Sequence, residues 1–264
     1  SCRIMLGTVI AIVVLVFIGY QVFAIAKKRS QRTSSIPEQF PEDWKQILEK
    51  KVGFYERLSP QEKSRFEQRI LTLLKSVIIT PVKTTIDDED RLLIAASGII
   101  PIFYLTETTY PNLREVLVYP NTFGKDHQVT GSDRRIAGMV GNGYMTGTMI
   151  LSKSHLLSAF MNEKDGKHTP IHEFVHLIDG WDGEIDGVPE ALLDKNSYLP
   201  WVAGIRQGLE DIRKRKSNLD AYGGTNPQEF FAVATEYFFE NPKKLQQNHP
   251  EMYALMEELF HPTT

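Results

Sequence analysis

From Ile4 to Ala26 the chain runs for 23 residues without a charge, IMLGTVIAIVVLVFIGYQVFAIA, interrupted only by Thr8, Gln21 and small glycines. At about 1.5 Å rise per residue, a helix of that length crosses a hydrocarbon core of about 30 Å. A buried helix of a soluble core is rarely uncharged for so long. A cleaved signal peptide is the closer rival, but its apolar region is shorter, about 7–15 residues, and its positive charge comes first. Here Lys27, Lys28, Arg29 and Arg32 follow the run and only Arg3 precedes it. The pattern therefore predicts an uncleaved single-pass anchor over residues 1–30, in contact with the membrane through residues 4–26. The positive-inside rule puts the remainder in the cytoplasm, on the inner face of the membrane. Cys2 at the membrane edge is a candidate for acylation.

The charge balance divides at the same place. The whole chain of 264 residues has 30 basic and 33 acidic side chains, a net of −3. Residues 1–35 carry +5 and no acid, which leaves −8 on the rest. An acidic domain of this size does not bind nucleic acid in bulk, for which a dense basic face is needed. The single cysteine excludes an internal disulfide framework and any all-cysteine zinc site.

Residues 31–41, polar and punctuated by proline, read as a linker. Residues 42–264 read as one α+β domain. Ser59-Pro60-Gln61-Glu62 places a cap, a first-turn proline and a capping-box acid in order. Phe66, Ile70, Leu73, Leu74 and Val77 then recur at helical spacing, facing a core. A second helix is predicted from Asp87 or Asp88 to Gly98. Short strands are predicted at Ile99–Thr106, Glu115–Tyr119 and Gly147–Ser152, the last preceded by the turn Gly141-Asn142-Gly143. From Ser154 onward the pattern is mainly helical.

His172-Glu173-Phe174-Val175-His176 carries the chemistry. Residues four apart lie on one helical face, so both imidazoles can bind one metal, with Glu173 beside them to take a proton from water. Zinc suits this donor set, and a catalytic site needs three protein ligands plus an open position. Thr169-Pro170 supplies a cap and first helical residue, and Gly180 a stop. No histidine stands where a metzincin would have its third ligand. A glutamate from a later helix is the gluzincin alternative, and Glu229 and Glu236, seven apart, both qualify. Asn226-x-x-Glu229 is equally a capping box, so spacing leaves Glu229 between ligand and cap.

Four ordered blocks carry a resemblance. DRLLIAASGIIPIF (Asp90 to Phe103), EVLVYPNTF (Glu115 to Phe123), HEFVHLIDGWDGEIDGVP (His172 to Pro189) and DAY…NPQEFFAVATEYFFE (Asp220 to Glu240) resemble the Mlc titration factor A family. These are bacterial zinc metallopeptidases whose fold is similar to the catalytic domain of anthrax lethal factor. The resemblance runs from about Phe40 to Pro262. It implies a zincin-type domain that hydrolyses peptides or proteins, with Zn2+ held by His172, His176 and Glu229. It further implies Glu173 as general base and Tyr222, seven residues before the third ligand, as donor to the developing oxyanion. Glu236 then falls to a supporting or packing role. Nothing in the pattern chooses between aminopeptidase and endopeptidase activity. The family's named member sequesters a transcriptional repressor of sugar uptake, which implies a regulator as an alternative partner.

Four further readings complete the sequence. Asp179, three residues past His176, is placed to orient a ligand imidazole, or is simply polar near a helix end. Asp182 to Gly187 reads as a solvated turn. His127, His155, His168, His249 and His261 lack ligand spacing and read as surface or core residues. Met149–Ser152 is expected to be an edge strand that binds an extended peptide by backbone hydrogen bonds.

Overall fold

The computed structural model describes residues 36–107, 109–121, 138–140, 147–162 and 165–262. The expected anchor, residues 31–35 of the linker, Cys2, His127 and the Gly141–Gly143 turn lie outside them. The chain divides into a unit ending at Gln39 and a compact unit from Phe40 onward, to which all that follows belongs. Among the described residues no helix is long and apolar enough to cross a membrane.

Helices α1 (Glu42–Lys51), α2 (Gly53–Glu56) and α3 (Pro60–Ser76) lead into strand β1 (Ile78–Pro81), and α4 (Asp88–Ile102) leads to β2 (Glu115–Tyr119). Strands β3 (Gly138–Val140) and β4 (Thr148–Ser152) follow. Then come α5 (Lys153–Met161), α6 (Thr169–Asp179), α7 (Tyr198–Arg213), a 3-10 turn (Ala221–Gly224), α8 (Pro227–Glu240), α9 (Pro242–Asn248) and α10 (Pro250–Phe260). The result mixes helices with one small sheet. At the start of α3 the Ser59 side chain accepts from the Glu62 N–H and Glu62 reaches back to the Ser59 N–H, closing the capping box. Phe66, Ile70, Leu73, Leu74 and Val77 are all buried.

The sheet order is β1-β2-β4-β3. The pairs β1/β2 and β2/β4 are parallel, with Val116 opposite Met149 and Val118 opposite Leu151, and β3 lies antiparallel on the far side of β4. This corrects the expectation for Met149–Ser152. That segment is a strand, but it is paired on both sides, so its backbone groups are spent inside the sheet and cannot receive a peptide. Its side chains agree: Met149, Ile150 and Leu151 are all buried, which is the continuous apolar pattern of an interior strand.

A second correction concerns Gly98 and the predicted strand Ile99–Thr106. Helix α4 continues through Gly98 to Ile102, and Phe103–Thr106 is turn. The apolar, β-branched run Ile99-Ile100-Pro101-Ile102 looks like a strand because α4 is buried nearly all round, from Leu92 to Ile102. Gly98 is there for proximity. A Cβ on it would lie 2.8 Å from Phe174 Cε1 and 2.9 Å from a Leu73 methyl. Its carbonyl accepts from the Tyr110 hydroxyl at 2.6 Å. Helix α4 thus forms the bed on which α6 lies, and α6 in turn packs along α8.

Candidate metal centre

Helix α6 is capped one residue earlier than the sequence suggested. The buried His168 is the N-cap, its Nδ1 accepting from the Ile171 N–H at 3.2 Å, while Thr169 and Pro170 form the first turn. Thr169 has a side-chain oxygen suited to capping, but the non-helical residue at the entry is His168. Burial pushes the His168 imidazole down to about 3, so it is neutral. Gly180 ends the helix, its N–H donating to the His176 carbonyl. Between these ends all residues from Pro170 to Asp179 are buried except His176, which is partly exposed.

Helix α8 begins at an Asn226 cap whose side chain accepts from the Glu229 N–H at 2.9 Å. The Glu229 carboxylate is turned the other way. Its Oε2 stands 2.9 Å from His172 Nε2 and 3.6 Å from His176 Nε2. Cap and ligand are therefore compatible roles: Asn226 holds the backbone of Glu229 and frees its side chain. The donor atoms of His172, His176 and Glu229 all lie within 4.8 Å of one another. Donors about 2.0–2.2 Å from a tetrahedral zinc are about 3.3–3.6 Å apart, so the set closes on a single ion once its widest separation shortens by about an ångström. Burial alone would raise Glu229, yet the hydrogen bonds and charge of the two histidines hold its carboxylate well below the ordinary range. For His172, burial opposes charge, but Glu229 and Glu236 together push it well above the usual imidazole value.

Glu236, two turns down α8, is buried and accepts from His172 Nδ1 at 2.7 Å through Oε1. Its Oε2 accepts from the His168 N–H. One carboxylate thus fixes the His172 ring with Nε2 toward Glu229 and ties it to the helix entry, as metal-site imidazoles require. Spacing left Glu236 level with Glu229 as a candidate third ligand, and its contact with His172 was not legible because it joins residues 64 apart in the chain.

Glu173 is buried beside both histidines. Burial raises its carboxyl, Glu229 and Glu236 add to the rise, and His172 and His176 oppose it. Tyr222 sits on the 3-10 turn with its ring centroid 6.0 Å from that of His172, and it is half exposed. Burial and the adjacent Glu229 push its phenol up to about 12. The Asp220 side chain accepts from the Tyr222 N–H at 2.9 Å and pairs with Lys167 at 2.8 Å, linking this turn to the loop that enters α6. Asp179 is fully buried. Its Oδ2 accepts from the Gly187 N–H at 2.8 Å, and burial raises its carboxyl to about 7. Asp182 and Asp186 are exposed and accept from nearby backbone N–H groups, as a solvated turn should.

Comparison with known proteins agrees with this geometry. The family model described as glucose-regulated metallo-peptidase M90 matches residues 25–261. An uncharacterized protein of Synechocystis sp. is 33% identical over 232 residues, covering 83% of this chain and 84% of the relative. Mlc titration factor A of Yersinia enterocolitica is 26% identical over 203 residues, covering 71% and 70%. Mlc titration factor A of Escherichia fergusonii is 24% identical over 236 residues, covering 84% and 86%.

Proposed function

The chain belongs to the glucose-regulated metallo-peptidase M90 family, and from that membership and the His172–His176–Glu229 cluster we propose a zinc-dependent peptide hydrolase. The observation that carries the reading is the convergence of two imidazoles and one carboxylate beside a buried Glu173. A zinc ion bound there would polarise the substrate carbonyl and lower the pKa of the attacking water. Glu173, its basicity raised by burial, takes the proton of that water and returns it to the leaving amine nitrogen. Tyr222, protonated up to about pH 12, donates a hydrogen bond to the oxygen on which charge develops. Glu236 holds the His172 ring through these steps.

Glu173→Gln tests the assignment. The variant should keep one zinc per chain and lose peptide hydrolysis by about 10²–10⁴-fold. Full hydrolysis with metal retained would sink the general-base role.

A second reading has one observation behind it: relatives across most of the chain are named Mlc titration factor A. A regulator partner would then be held rather than cut. Capture on the Glu173→Gln chain separates the two, because a binder retains an intact regulator and a peptidase traps only substrate. We also propose that residues 4–26 anchor the chain in the inner membrane with residues 42–264 in the cytoplasm. The support is the uncharged run and the basic cluster behind it. Protease should then reach the domain in inside-out vesicles and spare it in intact spheroplasts.

A further inference from the structure

We infer that Asp179 is a positioning residue for the metal centre: one carboxylate oxygen holds the Nδ1 proton of His176, and the other fastens α6 to the point where α8 begins. The inference rests on the metal reading above and says which residue orients its second imidazole.

The two ligand histidines differ in their partners. His172 Nδ1 has Glu236 at 2.7 Å, whereas His176 Nδ1 is buried without a hydrogen-bond partner among the described residues. Asp179 follows His176 by three residues, on the same side of the helix. Its Oδ2 is taken by the Gly187 N–H, and its Oδ1 is buried without a partner. Among the described residues Oδ1 is the one buried carboxylate oxygen left so. A buried donor and a buried acceptor one turn apart each carry a desolvation cost that their pairing removes. A side-chain rotation, or one bridging water with polar partners at both ends, would complete the pair. His176 then keeps its proton on Nδ1 and presents Nε2 to the metal, as Glu236 makes His172 do.

The other oxygen reaches the third ligand. Gly187 has φ +87°, and its carbonyl accepts from Trp201 Nε1 at 2.9 Å. A Cβ on Gly187 would stand 2.6 Å from the carbonyl carbon and oxygen of Pro227, the first residue of α8 and two before Glu229. The Asp179 carboxylate therefore joins the turn holding His176 to the backbone that abuts the turn holding Glu229.

The test uses the full-length chain, with zinc affinity read by competition with a chromophoric chelator and the His176 tautomer by long-range ¹H–¹⁵N NMR. In Asp179→Asn the amide oxygen still accepts from Gly187, but the NH2 group cannot accept the His176 proton. Zinc should bind about 10–100-fold more weakly, with the metal-free thermal midpoint unchanged. Trp181→Phe removes another buried donor near Asp179 in sequence, one without a partner among the described residues, and should leave the affinity as it was. In the wild-type chain His176 should carry its proton on Nδ1, in a hydrogen bond. Wild-type affinity in Asp179→Asn would reduce Asp179 to a loop fastener and overturn the inference. So would a His176 protonated on Nε2 in the wild type, a measurement that does not depend on any variant folding. A wild-type chain that takes up no zinc would sink the metal reading instead, and the His176 tautomer would still decide the Asp179 contact.

Discussion

Helices α6 and α8 supply the candidate metal centre in opposite ways. On α6 His172, Glu173 and His176 lie within one and a half turns, so helical geometry alone brings them together, with the two imidazole centroids 4.8 Å apart. Helix α8 contributes one ligand from its first turn, the part of it that is only half buried, while Phe230 to Phe238 are buried throughout. Its position depends on packing against α6, on Asn226 and on the Gly187 contact. A locally encoded pair is robust to small shifts of its surroundings, and a third ligand delivered by tertiary packing is where the site is open to adjustment.

The largest effect that would break this contrast is loss of the delivered ligand. Glu229→Ala should abolish stoichiometric zinc binding, measured by metal analysis after gel filtration, while the helical circular dichroism stays unchanged. Retention of one zinc per chain would mean that α6 suffices and that α8 is a spectator.

The helix entries give the next contrast, because α6 is capped by a titratable residue and α8 is not. The folded His168 value, about 3, lies below the ordinary 6.5, so the unfolded chain takes the proton first. The contribution of His168 to stability is complete above about pH 6.5 and is lost as pH falls toward 3. His168→Asn keeps a capping acceptor without the titration. Between pH 7 and 5, with chelator present, wild type should lose about 2 kcal/mol more than the variant in denaturant unfolding. Equal losses would show that the cap histidine charges freely in the folded state.

The smallest effect sharpens the comparison. Asn226→Ala should cost about 1 kcal/mol of stability and weaken zinc binding as well, because the frayed turn carries Glu229. Ser59→Ala removes the equivalent cap from α3 and should cost a similar amount with zinc affinity unchanged. Equal zinc affinity in both variants would detach the cap from the site.

What could be read in advance follows the same division. His172, Glu173 and His176 were legible because one helical turn fixes their relation. The Ser59 cap and the Phe66–Val77 stripe were legible for the same local reason. The pairing of β4 on both sides was not, since a three-residue strand such as β3 leaves little periodic signal. Nor was the length of α4, where burial on every face erased the helical alternation and a glycine needed for Phe174 looked like a stop. Spacing left Glu229 between cap and ligand because the residue sits at a capping position and its carboxylate serves the metal site. The Glu236 contact joins positions with no sequence proximity.

The close approach of Phe174 to Gly98 carries a consequence for inheritance. The ring works as a key in a notch: α6 cannot slide along α4 by a turn without withdrawing it, so the height of His172 and His176 above the sheet is locked by a pair of positions that touch no metal. Positions 98 and 174 should accordingly drift together among relatives, a side chain gained at one matched by a smaller group at the other. Where either changes alone, the histidines would keep their mutual spacing and lose their alignment with Glu229.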